Sequence, residues 1–416
     1  MNLNKKTKRR IKKGPVIVLG GILILTITVF FLIPKKIMYM QNLQNYTKEE
    51  VVKYAKQNSL ELNFTEEYSY EIEENKTISQ SISPGVKLNK NDILNVIISI
   101  GKIDPLKLEE YKVNELGEVP IMMYHGIQNL ENSETAYIGG NVDKDGYQRT
   151  KEAFQNDLEF YYNNGYRMIR LNDYIDGIVD VEIGMSPLII TFDDGLKNNI
   201  RVTGLDENGD IIIDPNSAVG ILEEFKIKYP KFNVTATFFL NGDLFGQPEV
   251  NEKIIKWLND NNYDIGNHTY GHRDITKLNE EQTQKEVGQV YNLFEQKNFK
   301  YINVVALPFG SPYVSTHNNF QSIINSKYEQ KEYITKSTLR VGWESELSPF
   351  NKNFNPLFLK RIRAYDNNGK DFDIEYNFKQ LEKYKYVSDG NKKTITIREK
   401  DMEKLENKFS LNVITY

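Results

Sequence analysis

Leu188-Ile189-Ile190-Thr191-Phe192-Asp193-Asp194-Gly195 reads as a buried strand that runs straight into a turn. An apolar run this short, closed by a turn signal, fits a strand covered on both faces. Two adjacent carboxylates therefore sit at a strand end. Further on, His268-Thr269-Tyr270-Gly271-His272 places two imidazoles four residues apart, after Tyr263-Asp264-Ile265-Gly266-Asn267. The chain has only four histidines, so this pairing is not a by-product of abundance. One carboxylate and two imidazoles make a three-ligand, zinc-type metal site with a position left open for water. The remaining carboxylate is then free to take a proton from that water.

Around this stretch, strand-like and helix-like segments alternate. Strands are expected at Val119–Tyr124, Leu188–Phe192, Val234–Leu240 and Val304–Leu307. Helices are expected over Lys151–Asn164, Ala218–Tyr229, Glu252–Asn261 and Asn279–Lys297. Such alternation predicts an α/β fold with a parallel sheet, here a barrel. Reactive groups in such barrels lie at the C-terminal strand ends, where Asp193, Asp194 and His125 fall.

At 416 residues the chain has room for more than one domain. There is no cysteine, which excludes disulfides and thiol catalysis. Residues 1–36 hold nine Lys/Arg and no acid, leaving 44 basic and 57 acidic residues in the rest. An acidic body argues against nucleic acid as a partner. The basic end flanks Pro15 to Ile33, nineteen residues without a charge. As a helix these reach roughly 28 Å, about one hydrocarbon core. Seven Lys/Arg precede the run and Lys35 and Lys36 follow it. A transmembrane signal anchor over 15–33 is expected, with residues 1–14 cytoplasmic and the body outside the cell membrane. A cleaved signal peptide would want small residues after the run, and Pro34-Lys35-Lys36 stands there instead.

Next comes a small α+β unit. Thr47-Lys48-Glu49-Glu50 has capping-box spacing, and Val51, Val52, Tyr54 and Ala55 supply one apolar face. Leu60, Leu62 and Phe64 alternate as a strand, Ser83-Pro84-Gly85 marks a turn, and Ile93–Ile100 reads as a buried strand. With Thr77-Ile78-Ser79-Gln80-Ser81 and the closing Val96-Ile97-Ile98-Ser99-Ile100-Gly101-Lys102, residues 40–102 resemble a PASTA domain. That resemblance implies proximity to peptidoglycan, either as a binder or as a spacer. Residues 103–117, charged and holding Pro105 and Gly117, read as a linker.

Residues 118–395 resemble the polysaccharide deacetylase family, carbohydrate esterase family four, with 396–416 as a C-terminal tail. The likeness rests on Thr-Phe-Asp-Asp-Gly at 191–195, on Asn267 to His272 with Asp274-Ile275-Thr276-Lys277-Leu278, on Thr235 to Leu240, and on Val119 to His125. It implies a distorted (β/α) barrel of fewer than eight strands and one divalent metal, zinc or cobalt. Asp194, His268 and His272 would hold the metal and Asp193 would act as general base. Thr269 would orient the histidine loop, and a backbone N–H near Phe309 would serve the oxyanion. Pro308, Phe309 and Tyr313 would line the sugar groove.

Two departures stand out. The family's Arg-x-Pro-aromatic motif reads Ala306-Leu307-Pro308-Phe309 here, so the arginine that steadies the base is missing. The late Leu-x-His is also absent, and no histidine follows His317. An exopolysaccharide branch of the family draws its general acid from an early Tyr-His, which Tyr124-His125 matches. His125 is thus the expected acid, and Arg361 or Arg363 the expected base-orienting group. Residues 200–217 form an insertion whose Asn208-Gly209 signals a hairpin. The implied activity is N-deacetylation of peptidoglycan N-acetylglucosamine. Poly-β-1,6-N-acetylglucosamine is the alternative substrate, and an inactive wall-binding protein is the reading from another class.

Overall fold

The computed structural model describes residues 37–416. The expected cytoplasmic tail and membrane helix lie outside the described residues. The chain separates into two compact units, dividing between Lys102 and Ile103.

In the first unit, helix α1 (Lys48–Gln57) starts on a true capping box: Thr47 accepts from the Glu50 N–H, and Glu50 accepts from the Thr47 N–H. Its buried face is Val51, Tyr54 and Ala55, whereas Val52 points to solvent. Strands β1 (Glu61–Glu67), β2 (Thr77–Gln80) and β3 (Ile93–Ser99) form a sheet in the order β1-β3-β2. The β1–β3 pairing is parallel and β2–β3 antiparallel. Leu43, Val51, Leu94 and Val96 form its sealed core.

The second unit is built on an eight-stranded sheet. Its strands are β4 (Ile121–Tyr124), β5 (Tyr166–Met168), β6 (Ser186–Phe192), β7 (Thr237–Leu240), β8 (Asp264–Asn267), β9 (Val304–Ala306), β10 (Ser337–Leu339) and β11 (Ile362–Arg363). They run in the order β10-β9-β8-β7-β6-β4-β11, with short β5 sharing one edge of β6 with β7. Every pairing is parallel. The count exceeds the fewer than eight strands that the resemblance implied, because β5 and β11 each contribute only a two- or three-residue pairing. Bridges from Leu339 to Leu359 and from Trp343 to Ile362 tie the two sheet edges together, so the sheet curls on itself.

Alternation along the strands sorts the side chains. Leu188, Ile190 and Phe192 of β6 face an outer layer of helices, against Phe154 and Leu158 of α2 (Lys151–Asn163), Leu222 of α3 (Ala218–Lys228) and Ile254 of α4 (Asn251–Asp260). Ile189 faces inward, with Ile121, Phe239, Val304, Ala306 and Leu339. By the same parity Thr191 and Asp193 point into the curl. The helices start on Thr150, Ser217 and, for α5 (Glu280–Gln296), an Asn279–Gln282 capping box. The insertion forms the expected hairpin, with Val202–Leu205 antiparallel to Ile211–Ile213.

The stretches read as a linker, 103–117, and as a C-terminal tail, 396–416, both carry regular structure. Residues 103–117 carry a helix at Pro105–Tyr111 and bury Ile103, Leu108, Val113 and Leu116. Apart from Glu115 their charges sit on the solvent side, which is why composition alone suggested a linker. Residues 396–416 belong to a parallel ribbon, Thr394–Ile397 with Asn412–Thr415. The Glu115 carboxylate joins these ends: it accepts from the N–H groups of Asp389 at 3.1 Å and Thr396 at 2.7 Å.

Burial, reinforced by the charge of Asp389, pushes the Glu115 carboxyl well above its ordinary value. The folded chain therefore holds that proton more tightly than the unfolded one. The resulting stabilisation is present at acid pH and is lost as pH rises through the raised value. Glu115→Gln should flatten the fall in thermal midpoint from weakly acid to alkaline buffer; a slope equal to the parent's would rule Glu115 out as its source.

Candidate active site

Register aligns the strand ends on one rim. Tyr124 pairs with Phe192, Leu240 with Asn267, and Ala306 with Leu339. The residues that follow, His125, Asp193, Asp194, His268 and Leu307, are thus brought to a common edge. Here the backbone leaves regular geometry. Asp194, Thr269, His272 and Phe309 all have positive φ, 74°, 61°, 50° and 58°, conformations that cost non-glycine residues about 1–3 kcal/mol each. Hydrogen bonds over-determine them. Asn267 accepts from the Thr269 N–H at 2.8 Å and donates to the Val287 carbonyl at 2.9 Å. Glu286 accepts from the Gly271 N–H at 2.7 Å, and Asn241 donates to the Asp194 carbonyl at 3.1 Å.

The turn at Asp194 sends two neighbouring carboxylates in different directions. Asp194 Oδ1 lies 3.1 Å from His268 Nε2 and 3.2 Å from His272 Nε2. One donor atom from each residue lies within 4.8 Å of the others. The His268 Nδ1–H donates to the Ala306 carbonyl at 2.9 Å, which fixes the tautomer and leaves Nε2 free to ligate. His268 is buried, while Asp194 and His272 are half-buried, so the cluster has one covered and one accessible side. One carboxylate and two Nε2 atoms fit a divalent ion of zinc type. Burial alone would raise the Asp194 carboxyl; when the imidazoles also carry a proton on Nε2, their hydrogen bonds and charge reverse this and hold it far below the usual range.

Asp193 turns inward to Arg361. The guanidinium Nη1 and Nη2 donate to the two carboxylate oxygens at 2.8 and 2.7 Å. Nη1 also donates to Thr191 Oγ1 at 3.2 Å and Nε to the Arg340 carbonyl at 2.9 Å. Arg361 is 0% exposed and Asp193 1%. Burial is the largest single influence and works to raise the Asp193 carboxyl, but the Arg361 charge and hydrogen bonds together with the nearby His268 and His125 hold the group below its ordinary value. The arginine absent from position 306 is thus replaced from the opposite side of the curl. Gly342 permits this approach, since a Cβ there would meet the Arg361 carbonyl oxygen at 1.8 Å. Arg363 does not reach Asp193; its guanidinium lies over the Tyr365 and Tyr147 rings, 4.0 and 5.2 Å from their centres.

His125 stands at the same rim, its carbonyl accepting from the Asn199 amide at 2.7 Å and its ring edge-on to Tyr147 at 4.8 Å. Its Nδ1 is buried without a hydrogen-bond partner among the described residues. Burial holds the imidazole below its ordinary pKa, against the pull of Asp193 and Asp194. Thr269 is buried and acts through its backbone turn, its hydroxyl being unpartnered among the described residues. Phe309 is exposed and meets His272 edge-on at 4.7 Å; Tyr313 is exposed and Pro308 buried. Sequence reading missed the contributions of Asn199, Glu286 and Tyr147, which carry no motif and act only through tertiary contact, and gave Thr191 no role beyond opening its motif. Trp343, 45% exposed with Arg340 4.8 Å from its ring centre, is a further aromatic that pattern alone did not select.

Removing one partner of a buried ion pair strands the other charge, at about 3–5 kcal/mol. Arg361→Ala is expected to lower the unfolding free energy by about that amount in chemical denaturation. A loss below about 1 kcal/mol, the range of solvated surface pairs, would mean that water replaces the guanidinium. Calorimetry with Zn²⁺ should give one binding event per chain, and His268→Ala should abolish it.

Comparison with known proteins follows this geometry. Residues 184–325 match the family model for polysaccharide deacetylase, and residues 38–100 match the PASTA domain. No curated protein matches the chain. Among solved structures, the Streptococcus pyogenes deacetylase PplD in complex with acetate is 16% identical, with a TM-score of 0.42, covering 61% of this chain and 94% of its own. A de-N-acetylase from Aggregatibacter actinomycetemcomitans is 11% identical with a TM-score of 0.38, covering 59% of this chain and 94% of that one. The three-PASTA-domain of a Staphylococcus aureus Ser/Thr kinase is 16% identical over 32% of this chain and 81% of that one, with a TM-score of 0.16. His125 and Arg361 both lie outside the matched segment 184–325. The chain thus holds one segment, 38–100, that matches the PASTA domain, followed by another, 184–325, that matches polysaccharide deacetylase.

Proposed function

We propose that the protein is a membrane-anchored, outward-facing, metal-dependent deacetylase that removes acetyl groups from N-acetylglucosamine of cell-wall peptidoglycan. The observation that carries this is the division of labour between neighbouring carboxylates: Asp194 clusters with His268 and His272 while Asp193 is held by Arg361. A divalent ion bound by Asp194, His268 and His272 would acidify a water and polarise an acyl carbonyl. Asp193 takes the proton of the attacking water. Its pairing with Arg361 keeps it ionised for that task and fixes its orientation. His125, at the same rim, delivers a proton to the departing amine from its imidazolium form, which burial disfavours and the charges of Asp193 and Asp194 favour. A backbone N–H near Phe309 steadies the oxyanion, and Phe309, Tyr313 and Pro308 flank the sugar. The PASTA domain, and the uncharged run 15–33 ahead of it, support the wall as the place of action and the membrane as the anchor.

Poly-β-1,6-N-acetylglucosamine is the second substrate reading, favoured by Tyr124-His125 at the end of β4 and by the arginine arriving from 361 rather than 306.

Acetate release should be measured from peptidoglycan and from β-1,6-linked oligomers side by side, with zinc or cobalt added. Asp193→Asn should abolish turnover. His125→Ala should lower kcat by about 10²–10⁴, the usual worth of general acid catalysis; near-normal turnover would reject the acid role. Release from the oligomers alone would transfer the protein to the exopolysaccharide reading. No release from either, with metal bound, would make it a wall-binding protein. Fractionation of cells making the whole chain should place it with the membranes, and deletion of residues 1–36 should release it.

A further inference from the structure

His125 stands where two ladders part. Strands β4 and β6 stay in register up to Tyr124 and Phe192, and the Tyr124 carbonyl accepts from the Asp193 N–H at 3.0 Å. Gly126–Gln128 then leaves that sheet and pairs in parallel with Gln148–Thr150. His125 belongs to neither strand. A side chain serves its carbonyl instead, the Asn199 amide donating to it at 2.7 Å.

Asn199 is itself fixed on every side. It is 0% exposed. Its Oδ1 accepts from the Leu196 N–H at 2.9 Å, and its own N–H donates to the Leu196 carbonyl at 2.9 Å. Its carbonyl accepts from the Val219 N–H at 2.8 Å, and the Asn198 carbonyl accepts from the Ala218 N–H at 3.1 Å. Ala218 and Val219 open α3, where the leading N–H groups have no partner within the helix. The turn at 196–199 is thus fastened to a helix start, and it follows directly on Asp193 and Asp194. Beyond the last paired residues of β4 and β6, the Asn199 amide is what joins this turn to His125.

The chemistry needs that join. Asp193 acts on the attacking water while His125 acts on the departing nitrogen of the same acetamide. As the C–N bond breaks, its electron pair stays on nitrogen and takes the proton of the His125 imidazolium. The water gives its oxygen to acetate and a proton to Asp193. Both proton transfers depend on placement to a fraction of an ångström. We propose that Asn199 is the positioning residue of the proton donor: its amide sets where His125 stands relative to the Asp193–Asp194 turn. This rests on the deacetylase reading and on His125 as the acid, and it deepens both.

The test is a double-mutant cycle in the whole, zinc-loaded chain. Two substrates are used: the glycan that the parent deacetylates, and an aryl acetate, whose phenolate leaves without a proton. Asn199→Ala should lower kcat on the glycan about ten- to a hundredfold, the cost of misplacing a reacting group by about 1 Å, with KM unchanged. The aryl acetate should be hydrolysed at close to the parent's rate, and calorimetry should still find one zinc per chain. In a His125→Ala background the same substitution should cost less than about twofold, since the donor it places is already gone. Asn199→Asp keeps the acceptor for Leu196 but sets an oxygen against the His125 carbonyl. It should reproduce the glycan-specific loss, which guards against a turn that has merely collapsed. Equal losses on glycan and aryl acetate, or an undiminished loss in the His125→Ala background, would overturn the proposal. A parent that releases acetate from the aryl ester but from no glycan would fail the deacetylase reading, and the proposal with it.

Discussion

A guanidinium and a carboxylate, both cut off from water, face each other inside the curled sheet at Arg361 and Asp193. Neither charge is tolerable there without the other, since desolvation of either alone would cost several kcal/mol. This requirement reaches well beyond the pair. It demands that β11 close against β4, that Gly342 carry no side chain, and that the 340–344 loop turn around the arginine backbone. It also sets the state of the carboxylate, because the adjacent positive charge keeps it ionised in spite of burial.

The neighbouring Asp194 escapes this environment through a single backbone torsion. Had β6 simply continued, alternation would have sent the second carboxylate into the helical layer, beside Phe154 and Phe238. The left-handed turn instead returns it to the rim, where two imidazoles meet it. Identical side chains, one residue apart, are thereby given an interior partner and a rim partner. The strain of the histidine loop is held in place by Asn267 and Glu286, which spend their side chains on main-chain groups.

Much of this was legible in the chain itself. The strand at 186–192, the helices after it and the PASTA unit announced themselves through local periodicity and caps, with Thr47–Glu50 the clearest case. The Asp194–His268–His272 cluster was legible because motif and strand-end position agree. Arg361 was only one of two candidates, since Leu359–Arg363 has no local feature that distinguishes its arginines. What separates them is which strand lies opposite, a property of the closed sheet. Residues 103–117 and 396–416, read as a linker and a tail, carry structure that was not legible for a related reason. Their composition is that of a surface, yet Leu116 and Ile397 are buried within the inner core.

The Asp193–Arg361 contact spans 168 positions. At the usual pace of synthesis of 5–20 residues per second, roughly ten to thirty seconds separate the appearance of the acid from that of its counter-ion. All three residues of the His/Asp cluster emerge within that interval. The nascent chain can therefore gather the Asp194–His268–His272 corner first, while closure of the curl must await the emergence of Arg361. The order in which the ribosome delivers these side chains thus makes assembly of the Asp/His cluster the earlier event and burial of the Asp193 carboxylate the later one.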